Sequence, residues 1–161
     1  MRPLRPAATA GRACTAALTA VLTTACTNTV VPPPEPQRPV AAFLLDHGRH
    51  ASLILERGDG MTRYAWGDWD YYALNRTGAL RASGTLFGAN RAGLGRKRLP
   101  GPAEQARVHR QVAVSIEAMW RIDVPWNRAR RLHERLDRHF LDGRGTLTAN
   151  PLYDLEFVQD T

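Results

Sequence analysis

Cysteine is scarce in this chain, which has only Cys14 and Cys26 among its 161 residues. Everything after Cys26 therefore lacks the thiol that a disulfide, a cysteine-ligated zinc site or a thiol nucleophile would need. The sequence also has no GxGxxG pattern and no GKS or GKT, so it lacks the common glycine loops that bind dinucleotides or nucleotide phosphates. No His/Cys/Asp cluster has the spacing of a zinc site, and we predict neither a metal nor a cofactor.

Size and charge place the chain among small globular proteins. Its residues, 43% hydrophobic and 23% charged, suffice for one domain and leave little room for a second. The formal net charge is +7, but residues 1–25 contain three arginines and no acid. The remainder carries 19 basic and 15 acidic residues, a net charge of +4. That excess is too small to indicate a nucleic-acid partner, and we predict none.

The N-terminus has the three-part order of an export signal. A basic start is followed by an apolar stretch from Ala13 to Ala25 and by small residues before Cys26. The stretch is shorter than the roughly 20 apolar residues of a membrane-spanning helix. We therefore predict a cleaved signal peptide over residues 1–25.

The segment LTTAC, which ends at Cys26, resembles the lipobox of bacterial lipoprotein signals. The resemblance implies that Cys26 becomes the first residue of the mature chain and carries lipid such as palmitate, which anchors the protein to a membrane. Thr23 stands where the motif prefers leucine, so ordinary cleavage after Ala25 stays open as an alternative. The residue after Cys26 is Thr27, whereas the inner-membrane retention signal has an aspartate at that position. This difference favours the outer membrane, with the protein facing the periplasm.

Residues 26–39 are rich in proline, with five prolines between Pro32 and Pro39. Proline removes backbone donors and fixes φ, so this segment cannot form a helix or a central strand. We predict an extended tether that holds a single domain, residues 40–161, away from the membrane.

Short apolar runs predict three strands at the start of this domain. VAAFLL (40–45), ASLIL (51–55) and MTRYAW (61–66) all have strand length. The RGDG segment at 57–60 supplies Asp-Gly turn chemistry, which favours a hairpin turn over an adhesion motif. The glycine-rich, basic segment from Thr77 to Pro102 is predicted to be a solvated loop.

Two longer periodic segments follow. Apolar and polar residues alternate from Val112 to Val124, which predicts a long strand with one buried face. From Trp126 to Phe140 the apolar residues fall at helical spacing with arginines opposite, which predicts an amphipathic helix with a solvated basic side. LYDLEFV (152–158) predicts a last strand. The order indicates an α+β fold with a mainly antiparallel sheet and one amphipathic C-terminal helix.

Two stretches, HGRHASLIL (47–55) and YAWGDWDYY (64–72), resemble a bacterial family, domain-of-unknown-function family 2459, with its pattern HGWHTGLVL followed by WGDxxFY. The most specific parts are His47-Gly48-x-His50 and Trp66-Gly67-Asp68. That family is in turn similar to circularly permuted papain-like proteins, the NlpC and lecithin-retinol acyltransferase group. The resemblance implies a permuted papain-like fold in which His50 opens a strand as the catalytic base.

The thiol that such a base would activate is missing. In the similar proteins the nucleophilic cysteine lies on a later, C-terminal helix, and here no cysteine follows Cys26. We therefore expect a non-catalytic or C-terminally truncated member that binds a cell-wall or lipid ligand in the cell envelope. The alternative is a cysteine-type amidase, peptidase or acyltransferase whose nucleophile lies beyond Thr161. For the chain as given, enzymatic activity is the less favoured reading.

The candidate site residues come from the same two stretches. His50 is the candidate base. The alternative is a structural role, in which His50 lies at the edge of a strand with its hydrogen bonds satisfied. The candidate ligand-binding residues are His47, Trp66, Asp68 and Trp69. The competing roles are a metal pair of the two histidines, core packing of the aromatic rings, and a turn or helix cap by the aspartate. Surface positions are predicted for the three histidines that lie among arginines, His109, His133 and His139.

Overall fold

A computed structural model describes residues 31, 34–77 and 91–160. Within these ranges the chain forms seven strands: β1 (Pro39–Asp46), β2 (Ala51–Arg57), β3 (Gly60–Asp68), β4 (Ala92–Pro100), β5 (Ala118–Pro125), β6 (Thr148–Asn150) and β7 (Leu155–Gln159). The same ranges contain two α-helices, α1 (Gln105–Gln111) and α2 (Trp126–Asp142), a π-helical turn (Trp69–Ala73) and a 3-10 turn (Gly143–Thr146). The predicted signal peptide, Cys26 and half of the predicted tether lie outside the described residues.

The strands form one sheet in the order β5-β1-β2-β3-β4-β7-β6, and every pair of neighbours is antiparallel. The predicted class, α+β with a mainly antiparallel sheet, is therefore confirmed. The three predicted N-terminal strands are confirmed as β1, β2 and β3. The predicted hairpin turn is also present, and Gly58 in it has φ +60°, a conformation that favours glycine.

The two helices pack on opposite faces of the sheet. On the α2 face, Phe140 packs in a buried cluster with Ala42, Leu55, Tyr64, Leu94 and Val158. On the α1 face, Val108 packs in a second buried cluster that includes Phe43, Leu45, Ile54 and Met61. Side chains alternate along a strand, so Ala42 and Phe43 belong to opposite faces. The single sheet thereby supports two separate surfaces.

The predicted amphipathic helix is confirmed as α2, which begins at Trp126 and ends before Gly143. Its buried residues are Ala129, His133 and Phe140, and they lie at helical spacing on one side. Within the described ranges, no helix combines the length and the hydropathy needed to cross a bilayer.

The predicted loop from Thr77 to Pro102 is wrong in its last part, because β4 is a central strand of the sheet. Its glycines are required by close packing: a Cβ on Gly95 would lie 2.7 Å from Phe157 Cε1, and one on Gly93 would lie 3.0 Å from Trp69 Cε3. Two of its three basic residues are paired with acids across the fold, Arg96 with Asp137 and Lys97 with Asp154. Residues 78–90 lie outside the described part of the chain.

The predicted strand from Val112 to Val124 is wrong in its first half. Residues 112–117 connect α1 to β5 without strand pairing, because the pairing of β5 with β1 ends at Ala118 opposite Asp46, the last residue of β1. Val112, Val114 and Ile116 still fall on every second position, because all three side chains pack in or against the buried cluster on the α1 face. The second half is an edge strand, and its face is less buried than predicted: Trp120 is 50% exposed.

The predicted last strand is shorter than the pattern LYDLEFV suggests. Residues 151–154 form a turn after β6, in which Asp154 has φ +54°, and β7 begins at Leu155. The turn reverses the chain so that β6 pairs with β7 at the edge of the sheet.

We expect Phe43→Ala to lower the free energy of unfolding by about 3–5 kcal/mol, because the Phe43 side chain has no exposed surface and its loss leaves a cavity in the α1-face cluster. Urea unfolding followed by circular dichroism measures the change. Phe43→Leu, which retains most of the apolar volume, should lose clearly less. Equal stability of wild type and Phe43→Ala would contradict this packing.

Candidate functional site

The turn between β1 and β2 brings the two candidate histidines together. The rings of His47 and His50 stack with their centroids 4.5 Å apart and an interplanar angle of 22°. The backbone amide of His47 donates to the His50 carbonyl at 2.9 Å, and the Asp46 carboxylate accepts from the Gly48 amide at 2.7 Å. Gly48 has φ +82°, and a Cβ there would collide with the Glu117 carboxylate. The HGRH motif is therefore a tight turn that a side chain at Gly48 would disrupt.

His47 is held by hydrogen bonds on both ring nitrogens. Its Nδ1 lies 2.6 Å from the Ser115 carbonyl, which only accepts, so Nδ1 carries the proton. Its Nε2 then accepts from the Ser52 hydroxyl at 2.8 Å. Burial lowers the pKa of His47, and the charge of Arg63 lowers it further against the Ser115 hydrogen bond. His47 is thus a neutral imidazole in one tautomer.

A buried arginine supports this arrangement. The Arg63 side chain has no exposed surface; its Nε donates to Ser52 Oγ at 3.0 Å and its Nη1 to the Tyr153 carbonyl at 3.1 Å. Its Nη2 lies 3.3 Å from His47 Nε2. Burial lowers the pKa of Arg63 to about 10, and the charge of Asp154 opposes that change. The guanidinium therefore stays charged at neutral pH and is stabilised by its hydrogen bonds.

Ser52 links the arginine to the histidine but is not placed to act as a nucleophile. Its hydroxyl accepts from Arg63 and donates to His47, in an arrangement that superficially resembles a serine–histidine dyad. The residue is only 2% exposed, so a substrate cannot reach its oxygen. The Ser52–His47 pair is a structural contact.

His50 differs from His47 in the hydrogen bonding of its ring. Nε2 is buried and forms no hydrogen bond to any of the described residues. The ring lies against Tyr72 and Tyr153, with centroid distances of 5.6 and 5.4 Å. Burial lowers the pKa of His50 to about 4, helped by His47 and Arg63. His50 is therefore a neutral ring whose buried Nε2 is left without a hydrogen-bond partner among the described residues.

The other candidate site residues do not gather around His50. Asp68 caps the π-helical turn, where its carboxylate accepts from the Tyr71 amide at 2.7 Å. Trp69 is buried in the core of the α1 face. Trp66 lies on the α2 face, is 51% exposed and contacts His139 at a centroid distance of 5.3 Å. The first stretch contributes the two histidines, and the second contributes Tyr72, whose ring lies against His50.

The surface position predicted for His133 is wrong. This residue is 3% exposed, because α2 presses it against the Tyr64 hydroxyl, with Nδ1 3.2 Å from that oxygen. Asp137, one turn later, lies 3.2 Å from His133 Nε2 and accepts from Tyr64 and from Arg96 at 2.9 Å each. These contacts join α2 to the sheet. His109 is exposed, as predicted, and His139 is partly buried.

Ser52, Arg63 and Tyr153 are site residues that sequence reasoning missed. A signal existed for Arg63, because a charge inside the apolar run MTRYAW is unusual for a buried strand. Ser52 follows His50 by two residues and carried no distinct signal. Tyr153 lies 103 residues from His50 and reaches it only through the turn before β7.

Five cavities lie along the described surface, and neither His47 nor His50 lines any of them. The two largest, about 700 and 570 Å³, lie along the arginine side of α2 and beside β4 and β7. In the described part of the chain, no group of three or more His, Cys, Asp or Glu residues is arranged to hold a metal ion.

Comparison with protein-family models finds no model that matches the chain, and comparisons with curated proteins and with solved structures find no match either. The resemblance to domain-of-unknown-function family 2459 and to permuted papain-like proteins stays a prediction from the two sequence stretches.

We expect the free energy of unfolding to fall as the pH is lowered from 7 towards 4. An unfolded histidine has a pKa of about 6.5, whereas folding lowers the pKa of both His47 and His50. Between these values the unfolded chain binds protons that the folded chain does not, so acid favours unfolding. After allowance for partial solvent screening, His50 should contribute about 1–2 kcal/mol.

Urea unfolding at several pH values measures this dependence. His50→Gln removes one of the titrating rings and should reduce the pH dependence, while His109→Gln, at an exposed position on α1, should leave it unchanged. An unchanged pH dependence in His50→Gln would show that the His50 ring is not buried in this way.

Proposed function

We propose that this protein is a lipid-anchored component of the bacterial cell envelope whose domain binds a cell-wall ligand at His50 without cleaving it. In this proposal lipid on Cys26 attaches the chain to the outer membrane, the proline-rich segment is a tether, and the domain is a non-catalytic, permuted papain-like unit facing the periplasm. The observation that carries the binding proposal is the unpartnered Nε2 of His50, set between the rings of Tyr72 and Tyr153.

The chemistry around His50 supports binding in preference to catalysis. His47 already uses both ring nitrogens, and the Ser52 oxygen is buried. None of the described residues is a cysteine. A general base needs a nucleophile within hydrogen-bond reach, and this surface offers none.

The same chemistry indicates the class of ligand. A neutral imidazole with one unpartnered nitrogen suits a hydroxyl or amide group better than a charged one. The ring edges of Tyr72 and Tyr153 offer apolar contact beside it. Sugar rings and peptide groups combine these features, and cell-wall peptidoglycan contains both.

We expect the purified full chain to co-sediment with insoluble peptidoglycan, and His50→Ala to weaken that binding about tenfold. The substitution removes one hydrogen bond and one aromatic contact, each worth on the order of 1 kcal/mol. His109→Ala, a histidine exposed on α1 and remote in sequence, is the matched control and should bind as wild type does. Equal binding by wild type and His50→Ala would overturn the assignment of the site.

The proposed anchor predicts that cells fed a palmitate analogue will label the wild-type chain and not Cys26→Ser. The reason is that lipid attachment requires the Cys26 thiol, the only cysteine that remains after removal of residues 1–25. Fractionation of outer and inner membranes reports the location. A wild-type chain without label would refute the lipoprotein assignment while leaving the His50 proposal intact.

A second candidate function is cysteine-dependent hydrolysis or acyl transfer with His50 as the base. The unpartnered Nε2 favours it, since a base awaiting a thiol would have such a nitrogen. None of the described residues is a cysteine, so the coding DNA after the Thr161 codon is the place to look for the nucleophile.

A further inference from the structure

The α2 face of the domain combines exposed tryptophans with unpaired arginines. Trp66 and Trp120 are about half exposed, and Trp126, at the start of α2, is also exposed. Trp66 contacts His139 of α2. Trp120 shares a strand face with Val124, which packs against the α2-face cluster. All three indoles therefore lie on the side of the sheet that α2 covers.

The helix leaves part of this sheet face uncovered. Leu53, Leu132 and Leu136 pack against the α2-face cluster but stay partly exposed. Trp120 pairs with Leu44, and Leu44 pairs with Leu53, so these residues form a row across β5, β1 and β2 beside the helix. The result is an apolar strip bordered by α2.

The solvent side of α2 is strongly basic. Arg128, Arg131, Arg135 and Arg138 are exposed, and none of them forms an ion pair with another residue of the described ranges. The acids on this side are Glu134, which pairs with Arg130, and Asp142. Arg128 and Arg135 lie one turn from Leu132, so they stand directly above the apolar strip.

We propose that the α2 face docks on a bilayer surface that contains anionic phospholipids. The arginines contact lipid phosphates, and Trp66 and Trp120 enter the headgroup region, where amphipathic indoles are favoured. Exposed indoles beside the arginines favour a bilayer over a nucleic acid, which offers no apolar layer. The docking does not depend on the ligand at His50, because that site lies on the α1 face.

Vesicle sedimentation tests this with the full chain carrying Cys26→Ser, which prevents lipid attachment. Vesicles of phosphatidylcholine with phosphatidylglycerol should bind the chain, and vesicles of phosphatidylcholine alone should bind it far more weakly. Arg131→Gln together with Arg135→Gln should lower the partition constant about 30-fold, or about fivefold for each arginine removed near an anionic surface. Raising the salt concentration should weaken binding.

The matched control is Arg110→Gln with Arg121→Gln, which removes the same charge from exposed positions on the α1 side of the sheet. It should bind nearly as the parent chain does, and circular dichroism checks that both variants are folded. All chains share the same N-terminal apolar stretch, so a difference between the variants cannot come from it. Quenching of tryptophan fluorescence by brominated lipids should fall in Trp66→Phe with Trp120→Phe.

Three results would overturn the proposal. One is equal binding to the two kinds of vesicle, and another is an equal loss in the arginine variant and its control. The third is tighter binding to a DNA duplex than to the anionic vesicles at the same salt concentration, with the same dependence on Arg131 and Arg135. That result would assign this face to nucleic acid.

Discussion

The buried guanidinium of Arg63 is the constraint on which the α1 face depends. A charge without exposed surface is tolerated only when hydrogen bonds replace its hydration. Its partners come from two segments, Ser52 and His47 beside the turn between β1 and β2 and the Tyr153 carbonyl before β7. By holding these segments together, Arg63 orients the ring of His47, and the stacked ring of His50 takes its position from His47.

The antiparallel sheet separates two surfaces of different chemistry. The α1 face carries neutral imidazoles and tyrosines around His50. The α2 face carries arginines and exposed indoles, and the carboxylate of Asp137 joins its helix to Tyr64 and Arg96 of the sheet. Together the two proposals orient the protein: a domain tethered at Cys26 would rest its α2 face on the membrane and turn His50 away from it, towards the cell wall.

The two histidines of the HGRH turn serve different purposes although they are alike in sequence. His47 is saturated with hydrogen bonds and acts as structural support. His50 retains one nitrogen without a partner. This division is the basis of the binding proposal at His50. The buried polar network of Arg63 and Ser52 positions the His47 ring, and the described residues include no cysteine beside His50.

Local patterns in the sequence sufficed to predict β1 to β3, the hairpin turn at Gly58 and α2. Alternation, turn residues and helical spacing are all set by residues close together in the chain. The same patterns made β4 resemble a loop. Its glycines make room for Trp69 and Phe157, and its Arg96 and Lys97 pair with distant acids, contacts that arise only on folding. The sequence likewise determined that His47 and His50 would be close. Only the tertiary structure decided that Arg63, Ser52 and Tyr153 surround them, because strand register and the turn before β7 bring those residues together and no local periodicity encodes that register.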